Sequence, residues 1–536
     1  MIQTGDGRHA LPFFYPYYHL FVLIYTICRR VLIQYTVKKN VANTTIIVMS
    51  FSLITRLIAF LFKVFLSRTL GAEPLGLFSM GLAIFGLLTM IPSSGIPLAV
   101  SRRVAEAADG KSAHATISAG LVLTVVVNLV TVGLFYLMRH PLLGLFADQR
   151  AEKVVLVMLP ATFSTAVYNV LRAYMMGRKH YIGYSVTETF EEIVNVVVVL
   201  LIMYGGIVAL EGGEALAVAF LIGDVATLLL LVVLYVAIGG RMARPRGLVP
   251  IVKSSTPITL MRLFTSLAAT FTAILLPNRL VATGMAVNEA TAAYGTAVGM
   301  AYPLLFAPLA ITSALSVVLL PELAQLNKAG RLREVSGKID VGIHYILVIS
   351  AFFFIIYATL GTDLGVLIYD NRTAGQFVTF AAGLVFPLTL TQLTNTALNS
   401  LGLELRCFVN SLIGLAVMGV CLWFLPAVLG IYALAVAQTA FFLISFVANL
   451  LVLSKHHATS LAFVRPFLKI AVGALSIAAC VYLLRLWLAS LDALVGTILL
   501  GAIAALSYAA LILLTKSVDI HVIFGWLRKK HGKRTN

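Results

Sequence analysis

Arg56 and Lys63 stand seven residues apart inside the apolar run SFSLITRLIAFLFK, residues 50–63. Two helical turns separate them, so they share one helix face, which Ser52 and Ser67 extend at spacings of four. A cation in hydrocarbon costs from about 3 kcal/mol on insertion scales to about 10 or more in simulations. Lys63 is close enough to the end of the run to snorkel to the interface. Arg56, near mid-run, is poorly placed to do so. Its planar guanidinium binds phosphate through two parallel hydrogen bonds and never loses its charge. The chemistry that justifies such a residue is binding of a polyanion, most simply a diphosphate, at the middle of a membrane.

Other polar residues in apolar runs extend the candidate set. Arg262 stands in a later run behind Pro257, which leaves a backbone carbonyl free. Arg172 lies toward one end of its run, where an interface role and a cavity role are both open. Gln392, Asn395 and Asn399 share a face at spacings of three and four, suited to sugar hydroxyls or to helix–helix hydrogen bonds. Asp224, midway along its run, has no near partner in sequence, which makes it a candidate for pairing with an arginine or for carrying a coupling proton or ion. Glu188, Glu191 and Glu192 open a run close to the boundary, where a solvated helix N-terminus is the favoured reading. No DxD, HExxH or nucleophile-elbow constellation appears, and no GxxxxGK[ST] loop, so ATP hydrolysis is excluded and no enzyme activity or cofactor is expected. Cys28, Cys407, Cys421 and Cys480 form no metal or disulfide pattern.

The elements that carry these residues are set by composition. The chain has 536 residues, 60% of them hydrophobic and 11% charged, with a mean hydropathy of +0.99, against about 45–50% apolar and about 25% charged in soluble domains. This is an all-α polytopic membrane protein. Runs long enough to cross a bilayer number fourteen, near 44–66, 76–98, 118–139, 154–175, 185–206, 215–238, 254–276, 291–320, 340–360, 376–399, 408–426, 430–453, 467–488 and 494–515. With the first run entered from the cytoplasm, 26 Lys/Arg fall in inner segments and 6 in outer ones. The net charge of +18 is therefore topological, places the C-terminus inside, and requires no nucleic acid. Residues 1–43 read as an interfacial anchor or a mis-assigned start, with an additional span as the alternative.

The two halves resemble each other. SFSLITRL (50–57) lies against TPITLMRL (256–263), and PATFSTAVYNVLRAY (160–174) against PLTLTQLTNTALNSL (387–401). AEAADGK, ending at Lys111, lies against LAQLNK, ending at Lys328. Offsets of 206, 227 and 217 residues each correspond to six spans, so the repeats are parallel. The expected organisation is an N-terminal extension (1–43), two pseudo-symmetric six-helix lobes (44–239 and 240–453), two extra C-terminal helices (454–515) and a basic cytoplasmic tail (516–536). A binding site is expected between the lobes.

RLIAFLFKVFLSRTLGAEPLGLFSMG (56–81), IPSSGIPLAVSRRVAEA (91–107) and LPATFSTAVYNVLRAYMMGRKHYIGYSVTETFEEIVNV (159–196) resemble the stage V sporulation protein B branch of polysaccharide exporters. That branch shares a superfamily with the lipid II flippases and the multidrug and toxin extruders. The resemblance, over residues 44–515, implies alternating access in a bacterial cytoplasmic membrane, with undecaprenyl-diphosphate-linked glycans moved outward. It implies that Arg56 is a cavity arginine, that Arg68 matches a basic residue before the Gly-Ala turn, and that the two extra helices form a groove for the polyprenyl tail. Glu191-Glu192 is followed by Asn195 where the family often has a basic residue. The expected partners are the lipid-linked glycan and membrane lipid, with a monomer as the expected state. Rival readings are a cation-coupled multidrug extruder, which would favour acidic residues in the first span where none occur, and a non-transporting scaffold for wall or spore assembly. A membrane glycosyltransferase lacks a donor site.

Overall fold

The computed structural model describes residues 41–107, 109–205, 212–456, 458–459, 464–488 and 493–514. Residues 1–40 and the whole basic tail, 516–536, lie outside these. Helices occupy all fourteen expected runs. A chain in hydrocarbon must satisfy every backbone N–H and C=O internally, and the α-helix does so within one segment. Eleven of these helices are long and apolar enough to cross a membrane, and a twelfth crosses if Arg372–Phe380 and Ala382–Ser400, bent by 50°, count as one span. The fifth, Tyr181–Gly205, carries three glutamates, and the seventh, Leu248–Ala282, has its strongly apolar part confined to Ser266–Ala282.

The eighth run is not one straight helix. It breaks into Val287–Tyr294, a π-helical stretch at Gly295–Ala301, a turn at Tyr302–Leu305 and a final helix Pro308–Lys328. Pro303 and Pro308 each stand in the first turn of a new segment, where a missing N–H costs nothing. Just before the break the backbone crosses the start of the second span so closely that a Cβ on Gly295 would lie 1.9 Å from Ala72 O. Only glycine permits that approach.

The chain forms two compact units, Met1–Lys63 with Leu77–Thr270, and Val64–Gly76 with Phe271–Asn536. These divide the chain differently from the expected lobes. The boundary falls within the seventh span because residues 240–247 and the first half of that span pack on the first unit. There Ala243 N donates to Ser118 Oγ at 3.0 Å and Thr270 Oγ1 to Ala83 O at 3.0 Å. The first unit's core joins Val100, Val104, Ile117, Val170, Met175 and Ile251. The second unit's core joins Ile346, Leu347, Leu393 and Leu398 to Ala474 and Ala504. The last two spans thus belong to the second unit. Arg485 of the thirteenth span pairs with Asp363 at 2.6 Å, and Tyr508 of the fourteenth donates to Val348 O at 2.6 Å.

Candidate functional site

The polar side chains of the first unit gather on spans four, five and six. Thr165, Tyr168 and Arg172 share a face of Arg150–Gly177, at helical spacings of three and four. Thr187, Glu191 and Asn195 share a face of Tyr181–Gly205, and Asp224 and Thr227 lie on Gly212–Ala237. Arg172 is buried, and its Nη2 meets Glu191 Oε2 at 2.7 Å. It also donates to Thr187 Oγ1 at 3.2 Å and Thr187 O at 3.0 Å, and its guanidinium lies 4.7 Å from the centre of the Tyr168 ring. Tyr168 Oη donates to the other oxygen of Glu191 at 2.9 Å. Arg172 is therefore tied to the fifth span by an ion pair and two hydrogen bonds, with the Tyr168 ring of its own helix against the guanidinium. Of the interface and cavity roles left open by the sequence, the buried setting disfavours the interface, and the Nε and Nη2 donors are already engaged by the fifth span.

Asp224 is wholly buried and pairs with no arginine. It accepts a hydrogen bond from Thr165 on one oxygen, while its other oxygen, like Asn195 Oδ1 and Thr227 Oγ1, has no protein partner. Asn195 presses on the backbone beside Asp224, since a Cβ on Gly223 would lie 1.8 Å from its amide oxygen.

On the first span, Thr55 Oγ1 and Thr189 Oγ1 lie 2.8 Å apart, which sets that helix against the fifth. Arg56 and Lys63, both exposed, then fall within electrostatic reach of Glu188 and Glu192 respectively, without closing to ion-pair distance. Ser52 is half-buried, with no side-chain hydrogen bond among the described residues. The three glutamates are thus not a solvated helix start. One closes a buried ion pair and two face the first span's cations. Their spacing of three and four in ETFEEIVN was the sequence signal for this, and a position near the run's start masked it. The site residues of the first unit are thus of both signs.

Arg262 is exposed and unpaired among the described residues. Its helix packs on the second span, where Ser94 Oγ donates to Thr259 Oγ1 at 3.4 Å, whereas the Arg56 helix packs on the fifth. In the second unit, Asn395 Oδ1 accepts from Asn449 Nδ2 at 2.7 Å and from the Cys407 thiol at 3.1 Å, and Asn410 Nδ2 donates to Asn449 Oδ1 at 2.8 Å. Asn395 therefore takes the helix–helix role. Gln392 is half-buried and Asn399 exposed, and neither side chain has a partner among the described residues. No group of three or more His, Cys, Asp or Glu able to hold a metal occurs among the described residues. A cleft of about 220 Å³ opens between the last two spans, lined by Ser476, Ile477, Cys480, Leu484, Ile503 and Ser507.

The model of a known family described as polysaccharide biosynthesis protein matches residues 41–327, which include every charged residue of the first unit's site. The chain belongs to that family. It is 26% identical over 468 residues to stage V sporulation protein B of Bacillus subtilis (strain 168), an alignment covering 83% of this chain and 88% of that one. Its fold resembles that of the lipid II flippase MurJ in an inward closed conformation, with a TM-score of 0.69 and 13% identity over 87% of this chain and 98% of the other. It also resembles an inward-facing multidrug resistance MATE family transporter of the MOP superfamily, at a TM-score of 0.61 and 14% identity over 77% and 99%. This polysaccharide biosynthesis family member is thus a multi-pass membrane protein with a transporter fold.

Proposed function

We propose that the protein is a flippase that moves an undecaprenyl-diphosphate-linked oligosaccharide, a lipid II-like precursor or another polysaccharide unit, across the cytoplasmic membrane by alternating access. The observation that carries this reading is the charged face of the first span. Arg56 and Lys63 are each set near a glutamate of the fifth span and are joined to neither. An unpaired cation at membrane depth is expensive, and a nearby carboxylate offsets part of that cost. A diphosphate entering the site would compete with Glu188 and Glu192 for the same two cations. It offers Arg56 the bidentate contact that a carboxylate held at a distance does not. The family supports a polysaccharide-linked substrate, and the lipid II flippase shares the fold. The cleft between spans thirteen and fourteen, at about 220 Å³, is in keeping with contact to a short stretch of a polyprenyl tail, the role the resemblance implies for these two helices. The distribution of Lys and Arg along the sequence supports a cytoplasmic C-terminus.

The multidrug transporter reading has the fold in its favour. Against it, the first span holds cations and no acid, an arrangement that repels cationic drugs. Asp224, buried with one unpartnered oxygen, is the candidate for a coupling proton or sodium ion under either reading.

The test is transport of a labelled undecaprenyl-diphosphate oligosaccharide in proteoliposomes. Arg56→Ala and Arg262→Ala should each abolish flipping while the protein stays folded and inserted, and Arg→Lys should rescue only in part. Normal flipping by both alanine variants would overturn the diphosphate site.

A further inference from the structure

The segment between the sixth and seventh spans, residues 240–247, is pinned to the first unit. Gly239 and Gly247 stand at its ends with φ of +81° and +80°, the left-handed region that residues with side chains avoid. Tyr235 Oη donates to Arg241 O at 2.9 Å, Ala243 N to Ser118 Oγ at 3.0 Å, and Arg246 N to Ala115 O at 3.4 Å. With the backbone held in this way, the side chains of Arg241, Arg244 and Arg246 are all exposed.

Other segments bring more cations to the same place. Arg178 caps the fourth span, and it and Arg241 both act electrostatically on His114. The guanidinium of Arg103 approaches Gly247 to within 3.3 Å of where a Cβ would stand. Lys111 opens the third span, one turn before His114. None of Arg103, Lys111, Arg178, Arg241, Arg244 and Arg246 has an ion-pair partner among the described residues.

The positive-inside rule counts Lys and Arg on inner loops and is indifferent to whether they are paired. It therefore accounts for basic residues here but not for their convergence unpaired. In the 328–338 loop of the second unit two of the four cations are neutralised, and Lys328 and Arg333 are not, among the described residues. There Arg331 pairs with Glu334 at 2.5 Å and Lys338 with Glu322 at 2.7 Å. Apolar side chains complete the first unit's patch. Met242 is 69% exposed and Val249 76%, beside the ends of membrane-spanning helices. A surface for a soluble polyanion has no use for them. A headgroup layer takes both, with arginines at phosphate depth and aliphatic groups directed toward the acyl chains.

We infer that this surface is a docking site for the headgroups of anionic phospholipids. It is distinct from the transported substrate's site and rests on no assignment of that substrate. The probe is phosphatidylglycerol titrated into the full-length protein in detergent, with bound lipid counted by native mass spectrometry and phosphatidylcholine as the neutral control. The wild type should retain phosphatidylglycerol preferentially. R244Q/R246Q should weaken that retention about 25-fold, from about fivefold per basic residue. R244K/R246K, which keeps the charge, should bind as the wild type does, and R331Q/K338Q should leave binding unchanged. Three results would overturn the inference: equal retention of phosphatidylcholine, undiminished binding by R244Q/R246Q, or displacement of the lipid by inorganic pyrophosphate at equal concentration. The last would mark a site for free phosphate groups instead of a lipid surface.

Discussion

Replacing Glu191 by Gln leaves Arg172 charged, buried and without its counter-ion. The side chains of the pair are only 9% and 19% exposed, and the contact is 2.7 Å. Breaking a buried pair from one side costs about 3–5 kcal/mol. At about 2–4 °C per kcal/mol for a unit of this size, the apparent melting temperature in detergent should fall by roughly 10 °C. Arg172→Met is milder. It leaves Glu191 accepting from Tyr168 at 2.9 Å, at a cost of about 1–3 kcal/mol. The double variant Arg172→Met/Glu191→Gln removes both charges and should return to within about 1 kcal/mol of the wild type, since replacing a buried pair whole is often neutral. The assay is a double-mutant cycle of thermal unfolding, read by near-UV circular dichroism on purified protein. Additive losses in the double variant would refute the pairing argument. Flipping should survive in the double variant. A stable double variant unable to flip would instead show that the pair itself acts in transport.

Three further outcomes follow from the geometry and the proposed mechanism. In a background freed of its four cysteines, single cysteines placed in 241–253 and 328–338 should resist an impermeant thiol reagent added outside, while those in 361–374 should react; the opposite pattern would reverse the orientation. Flipping in proteoliposomes should respond to a potassium-diffusion potential, because each charge moved is worth about 2.3 kcal/mol per 100 mV. Asp224→Asn should reduce the rate less than Arg56→Ala does; transport that ignores potential, follows a pH or sodium gradient and dies with Asp224→Asn would invert that ranking. Gly295→Ala, whose Cβ would lie 1.9 Å from Ala72 O, should lower the melting temperature, whereas Gly133→Ala, with nothing within 4 Å, should leave it unchanged or slightly raised.

Apolar runs alone determined the membrane class and where helices lie along the chain, because a backbone in hydrocarbon has one local way to satisfy itself. Periodicity also picked out the polar face of the first span, since residues seven apart on a helix share a side whatever surrounds them. Partners were another matter. Arg172 and Glu191 are 19 residues apart on different helices, and only the packing of the fourth span on the fifth decided that they neutralise each other. Packing of the first span on the fifth brought Glu188 and Glu192 within reach of Arg56 and Lys63, and packing of the fourth on the sixth gave Asp224 a threonine where an arginine was a candidate. Asn395 joined Asn449, 54 residues away, and was thereby drawn into helix packing. The division of the chain was likewise tertiary. The internal repeat marks where the segments correspond, but the hydrogen bonds of residues 240–247 and of Thr270 tie the start of the seventh span to the first unit. Helices in a membrane are written locally, in runs of some twenty residues. Charge compensation depends on which faces meet, and no local pattern carries that.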